Sequence, residues 1–235
     1  MRWKGRVIML GLPTADSIPD AITRLSDIQS SLSPKDGLTY FNRIYVDVTR
    51  DIYTKICTGY FHDSPFLTAL DLTFVNRYLT MVFAANNDDS VPLAWRPLIE
   101  SRSDDGIDPV QFALAAMNAH INYDLPNAVF ETCVRLETAP KEHFDDYQKV
   151  DGILDSCEEG IRRSFESRAE LDVDKRTSRI ANLVADWTIK GFRDLAWNNA
   201  LILWDLRSIR APRSLFDESI GAAAALTSRL VLVKA

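Results

Sequence analysis

The chain has 235 residues, of which 46% are hydrophobic and 26% charged, with a formal net charge of −6. That length suits one large domain or two small ones and is enough to bury a sizeable core. The acidic balance argues against a nucleic-acid binder, and nine glycines with ten prolines are few for a turn-rich sheet protein.

The pattern along the chain is helical nearly throughout. Residues 1–16 read as an irregular N-terminal segment. Ile22, Leu25, Ile28 and Leu32 then recur at helical spacing after Ser17 and Pro19, and Pro34 stops that helix. Leu38, Phe41, Ile44, Tyr45, Val48, Ile52 and Ile56 form an apolar stripe that ends near Gly59. Ser64-Pro65 has the form of a capping hydroxyl followed by a first-turn proline, and opens a very apolar segment over 66–84. A polar turn over 86–90 leads to Pro92 and a short helix carrying Trp95.

Asp108-Pro109 repeats the cap-then-proline signal and opens a central helix, which Pro126 interrupts and residues 128–136 resume. Pro140 begins a helix striped by Phe144, Tyr147, Val150, Leu154, Cys157, Ile161 and Phe165. Asp172 or Asp174 caps a long run containing Ile180, Leu183, Val184, Trp187, Leu195, Ala196, Leu203 and Trp204, with Gly191 a candidate kink. Pro212-Arg213-Ser214 separates a last helix over 215–233. No stretch of useful length alternates with period two. The expectation is one all-α domain of about seven or eight helices, spanning 1–235, around a buried, proline-kinked central helix.

Three cysteines, Cys57, Cys133 and Cys157, give no C-x-x-C pair and no disulfide framework, so free thiols in a reducing compartment are expected. The short apolar run after the basic start is no signal-peptide core, and no run reaches the ~18 residues of a membrane span. A cytoplasmic protein without a membrane span is expected.

The centre of interest is Asn118-Ala119-His120-Ile121-Asn122-Tyr123-Asp124-Leu125-Pro126. Upstream, with Val110, Phe112, Ala113, Leu114, Ala115, Ala116 and Met117, the helix is apolar on most sides, the mark of a buried helix. Polar groups placed there must be hydrogen-bonded or each costs about 1–3 kcal/mol. His120 and Asp124 are four apart and share a face, as do Asn118 and Asn122; the two pairs lie on different faces, because two residues turn a helix by about 200°. Pro126 removes an N–H and crowds the carbonyl of Asn122, so Leu125 is expected to leave helical geometry. One reading is an acid–base centre, with Asp124 fixing the tautomer of His120. The other is a structural network that pins a bent helix.

The Asn118-Ala-His-Ile-Asn-x-Asp-Leu125 core resembles the signature of an all-helical family of unknown function. Further segments resemble it in the same order: Asn42-Arg43-Ile44-Tyr45-x-x-Val48-Thr49, Phe61-x-Asp63, Leu70-Asp71-x-x-Phe74-x-x-Arg77-Tyr78, and Val91-Pro92-x-x-Trp95-Arg96. Phe144-x-Asp146 and Ala196-Trp197 match less closely, and the whole covers roughly residues 38 to 205. The resemblance implies a helical fold and supplies no reaction.

Asp71, Arg77 and Tyr78 lie in the apolar 66–84 helix, and Arg43 adjoins the Phe41–Ile44 stripe. Each either meets a partner on another helix or joins His120 in a pocket; Trp95 is either core or lid. A metal reading uses His120 and Asp124 with Asp71, Asp145, Asp146 or Glu158 as hard-ion ligands, but no H-E-x-x-H or paired E-x-x-H is present. Dinucleotide, P-loop, nucleophile-elbow and haem motifs are absent, so no organic cofactor is expected.

What remains is side-chain chemistry on a hydrophobic small molecule held between helices. The leading expectation is a cofactor-independent cyclase or isomerase acting on a terpenoid or polyketide intermediate. Its catalytic residues would be His120, Asp124 and Asn122, and its substrate contacts Asn118, Asp71, Arg77, Tyr78, Arg43 and Trp95. A metal-dependent hydrolase and a non-catalytic helical binding or scaffold protein are the alternatives.

Overall fold

The computed structural model describes residues 14–86, 91–155, 159 and 188–234. Among them there is helix and no strand. Helix α1, Ile18–Ser31, is capped by the Ser17 hydroxyl, which accepts from the Asp20 N–H at 3.3 Å. Ahead of it, the Asn76 amide ties down Ala15 by taking its N–H at 2.7 Å and giving to its carbonyl at 3.0 Å. Helix α2, Gly37–Cys57, starts at Asp36, whose carboxyl accepts from the Leu38 N–H at 3.0 Å. Gly37 lets α2 lie close to the central helix: a Cβ there would sit 2.6 Å from the Phe112 ring.

Helix α3, Ser64–Asn86, is apolar around most of its circumference and runs through the core. The capping role expected of Ser64 falls to Asp63, whose carboxyl accepts from the Phe66 N–H at 2.9 Å. A 3-10 turn, Leu93–Trp95, leads into α4, Arg96–Ser101.

The central rod has three parts. Helix α5, Pro109–Ala119, opens with the capping pair Asp108 and Gln111. A π turn, His120–Asp124, follows, in which the Leu125 N–H reaches the His120 carbonyl. Helix α6, Leu125–Leu136, continues without a break. Contrary to the expectation from Pro126, Leu125 keeps helical geometry, with φ of −64° and ψ of −47°. The extra residue of the π turn resolves the conflict: it widens the rod locally, so that Pro126 falls in the first turn of α6, where its missing N–H is tolerated.

A 3-10 turn, Pro140–His143, precedes α7, Phe144–Lys149, and residues 151–155 are again helical. Helix α8, Ile189–Asp205, is capped by Thr188, whose hydroxyl accepts from the Gly191 N–H at 3.1 Å. Gly191 therefore sits in a first turn and is not a mid-helix kink. The candidate caps Asp172 and Asp174, with Ile180, Leu183, Val184 and Trp187, lie outside the described residues. Helix α9, Arg210–Val231, starts five residues earlier than expected. Pro212 occupies its first turn, where the N–H groups have no intrahelical partner anyway.

Helices α2 and α9 pack against α5, α3 and α8 pack against α6, and α1 covers α2 and α3. One continuous apolar core joins these elements, from Leu25 and Leu38 through Val75, Leu79 and Ala116 to Trp197 and Ala224. No helix among the described residues is long and apolar enough to cross a membrane.

Candidate functional site

The polar residues at the end of α5 and in the π turn fall on two sides of the rod. Asn118 and Asn122 face α9. The Asn118 amide donates to the Ala224 carbonyl at 2.7 Å and to the Ser228 hydroxyl at 2.9 Å, while its oxygen accepts from the Asn122 amide at 2.9 Å. This pair holds the last helix to the rod, and neither residue lines the cavity described below.

His120 and Asp124 face the other way, toward α2, α3 and the Trp95 turn. Asp124 is 2% exposed. Its Oδ2 lies 2.9 Å from His120 Nδ1 and accepts from the Trp95 indole N–H at 2.9 Å. Its Oδ1 accepts from the Arg77 Nε–H at 3.4 Å, and Arg77 Nη1 donates to Glu131 at 2.7 Å. A buried acidic group needs this many donors, because desolvation alone costs several kcal/mol. Burial works against the Arg77 charge, but Asp124 and Glu131 outweigh it, so its pKa is raised.

With Nδ1 directed at Asp124 the imidazole carries its proton there, which leaves a lone pair on Nε2. Burial lowers the His120 pKa against the opposing pull of Asp124, so the ring is neutral at pH 7. It is clamped between aromatics. Phe74 stacks on it at 3.7 Å between ring centroids, nearly parallel, and Tyr45 meets it edge-on at 4.6 Å. Nε2 is buried and has no hydrogen-bond partner among the described residues.

That orphan nitrogen belongs to a residue lining a cavity of about 810 Å3, counted out to its mouth. The wall is apolar: Phe41, Ile44, Val48 and Ile52 from α2, Leu67, Leu70 and Phe74 from α3, Met117 and Ile121 from the rod, and Val150 and Ile189 beyond. Two further wall residues carry orphan polar atoms, Tyr45 with its hydroxyl and Asp71 with Oδ2. Both residues are 5% exposed. Burial raises the Asp71 carboxyl to about 7, and burial, followed by the charges of Asp71 and Asp124, pushes the Tyr45 phenol well up. Arg193 also lines the cavity but is engaged, donating to Asp151 and to the Tyr147 carbonyl at 2.6 Å each.

The structure thus brings His120 and Asp71 to one cavity and puts Asp124 directly behind the imidazole. Trp95 and Arg77 stand behind Asp124, as its donors. Tyr78 is buried and donates to Asn42 at 3.2 Å. Arg43 is exposed. Sequence reasoning did not single out Tyr45, which reads as one more ring in the α2 stripe. Only its hydroxyl, at an inward position of that stripe, sets it apart.

Among the described residues no three His, Cys, Asp or Glu side chains gather closely enough to hold a metal ion. Of the carboxylates considered as ligands, Asp146 accepts from the backbone N–H groups of His62 and Asp63 at 3.0 and 2.6 Å, Asp145 is exposed, and Glu158 lies outside the described residues. His143 sits between Asp63 and Thr138, stacked on Phe66.

Compared with known protein families, the chain matches the model for a family of unknown function (DUF5995) over residues 18–234. No curated protein and no solved structure matches the chain.

Proposed function

The chain belongs to the DUF5995 family, whose function is unknown, and from the chemistry of the cavity we propose that it is a cofactor-independent acid–base enzyme, an isomerase or cyclase of a hydrophobic small molecule. The observation that carries this reading is the His120–Asp124 pair. Its inner nitrogen is anchored at 2.9 Å, and its outer nitrogen is unpartnered on a residue that lines an apolar cavity. A buried polar atom left without a partner costs about 1–3 kcal/mol, a cost that an incoming ligand group relieves.

A neutral imidazole with a free Nε2 lone pair is a base at pH 7. It takes a proton from a carbon acidified by a neighbouring carbonyl or double bond and becomes imidazolium. Asp124 stabilises that cation at Nδ1. The imidazolium, whose Nε2 proton exchanges with solvent, then protonates another carbon to complete a double-bond shift; in a cyclisation the carbanion first adds to an electrophilic carbon of the same molecule, such as a second carbonyl, and the alkoxide formed takes the proton back. In both cases the protons balance and no oxidant is consumed. Such positioned proton transfer contributes typically 10²–10⁴-fold. Water exclusion by the apolar wall of the cavity suits carbanion chemistry.

The test does not require the natural substrate. A panel of hydrophobic ketones and enones is incubated with the protein in D2O, and deuterium incorporation is followed by mass spectrometry. The wild type is expected to accelerate exchange for at least one compound, and His120→Asn to lose that acceleration by about a hundredfold or more while its circular dichroism and melting remain those of a folded protein. Exchange that is unaffected by the substitution, or absent across the whole panel, overturns the proposal. Binding without exchange identifies a carrier instead.

A further inference from the structure

Of the three unpartnered polar atoms on the cavity wall, the proposed chemistry uses only His120 Nε2. The other two are the Tyr45 hydroxyl, from α2, and Asp71 Oδ2, from α3. Neither is solvated, both residues being 5% exposed. Neighbouring buried polar side chains of α2 and α3 find partners: Asn42 donates to the Leu25 carbonyl and Gln29, Thr49 to the Tyr45 carbonyl, and Tyr78 to Asn42; away from the cavity, Asn122 Oδ1 and the Asn86 amide are also unmatched among the described residues. Native interiors rarely leave such groups unmet, and three on the wall of one cavity point to a ligand that meets them.

Their hydrogen-bond character defines that ligand. The Tyr45 phenol keeps its proton, because burial and the adjacent acidic groups oppose ionisation, so it can donate. The Asp71 carboxyl, desolvated and raised to about 7, is a donor in its protonated form. His120 Nε2 is an acceptor. Two donors and one acceptor on one cavity wall suit a neutral ligand bearing a hydroxyl or the enol form of a ketone, a group that both accepts and donates. A carboxylate or phosphate would place negative charge beside Asp71 in a site whose lining cation, Arg193, is already paired with Asp151. A pure hydrocarbon would leave all three atoms unmet.

We propose that Tyr45 and Asp71 form the recognition site for the oxygen of an uncharged, largely apolar alcohol, phenol or enolisable ketone, and that they select such ligands against both hydrocarbons and anions. This rests on the same cavity as the catalytic reading but concerns binding alone. Phe74, one helical turn from Asp71, lines the same cavity and stacks on His120 with one face of its ring. The pair consists of the two polar side chains that α2 and α3 present to the cavity with an atom left unpartnered among the described residues.

The experiment uses three probes of one skeleton, naphthalene, 2-naphthol and 2-naphthoate, titrated at pH 6 into the whole protein and followed by calorimetry or naphthol fluorescence. The expected result is 2-naphthol binding at least tenfold more tightly than either relative. Tyr45→Phe, which keeps the ring and the packing, is expected to cut the naphthol-to-naphthalene ratio severalfold. Asp71→Val is expected to do the same, whereas Asp71→Asn, which keeps a neutral donor, largely preserves the ratio. Equal affinity for naphthol and naphthalene, tighter naphthoate binding, or no binding by any probe overturns the inference. The outcome separates from that of the catalytic test: a naphthol preference lost in Tyr45→Phe stands even if His120→Asn leaves deuterium exchange unchanged, and His120-dependent exchange stands even if naphthol and naphthalene bind alike.

Discussion

Replacing Asp71 by asparagine is expected to make the protein more stable, by an amount that depends on pH. Asp71 is buried, its Oδ2 has no partner among the described residues, and burial alone raises its carboxyl from 3.8 to about 7. The folded state therefore holds a proton that the unfolded chain releases. Below about 4 both states are protonated and the group is neutral in its effect. As pH rises from there toward 7, the unfolded chain ionises and the folded one does not, so stability is lost. Above 7 both are ionised and the loss is complete. A shift of about three pK units at 1.36 kcal/mol each gives a penalty of about 4 kcal/mol at pH 8.5, and less than 2 kcal/mol at pH 5. Asparagine has nearly the same shape and no charge, so Asp71→Asn should recover most of this. Urea unfolding followed by circular dichroism reads it directly. With an m value of about 3 kcal/mol/M, the midpoint of the variant should rise by about 1 M at pH 8.5, by a fraction of that at pH 5, and not at all at pH 3.5. His120 lines the same cavity with the opposite linkage: its lowered pKa costs stability as pH falls below about 6.5 in both proteins, and so cancels from the difference. A gain that does not change with pH, or a variant less stable at pH 8.5, would show that Asp71 keeps its charge through a partner, and would refute the reasoning.

Trp95→Phe keeps a ring in the core but deletes the indole N–H that donates to Asp124 at 2.9 Å. A lost hydrogen bond to a charged buried acceptor costs about 2 kcal/mol, which calorimetry should record as a fall in Tm of about 4–8 °C. Asn118→Ala removes the bonds to Ala224 and Ser228 and strands the Asn122 amide. Stability should drop by about 3 kcal/mol in chemical unfolding, while deuterium exchange and naphthol binding are unchanged, because this pair faces α9 and not the cavity.

Several features follow from the residues taken in order. The apolar spacing of Leu38 to Ile56 is sufficient for α2, since only a helix brings i, i+3, i+4 and i+7 to one face. The same argument gives α3 and α5, and the four-residue spacing pairs His120 with Asp124 and Asn118 with Asn122 on opposite faces. Local chemistry determines these features, so the sequence carries them.

The caps and breaks are less legible, because several neighbouring residues can do the same work. Asp63 takes the role expected of Ser64, Thr188 begins a helix where a continuous run is expected, and Pro212 is tolerated inside a first turn. The proline at 126 is the clearest case: its steric demand is certain from the sequence, but whether the chain meets it by unwinding or by a π turn depends on the helices packed around it.

Only the tertiary structure decides which polar groups share a space. Arg77, Trp95 and Asp71 look alike in sequence, as lone polar or aromatic residues in apolar surroundings. Packing sends the first two to Asp124 and leaves Asp71 on a cavity wall that Tyr45 and His120 reach from other helices. Hydrophobic periodicity specifies which face of a helix turns inward; the relative depth and angle of three separate helices fix whether the atoms on those faces meet each other or a void.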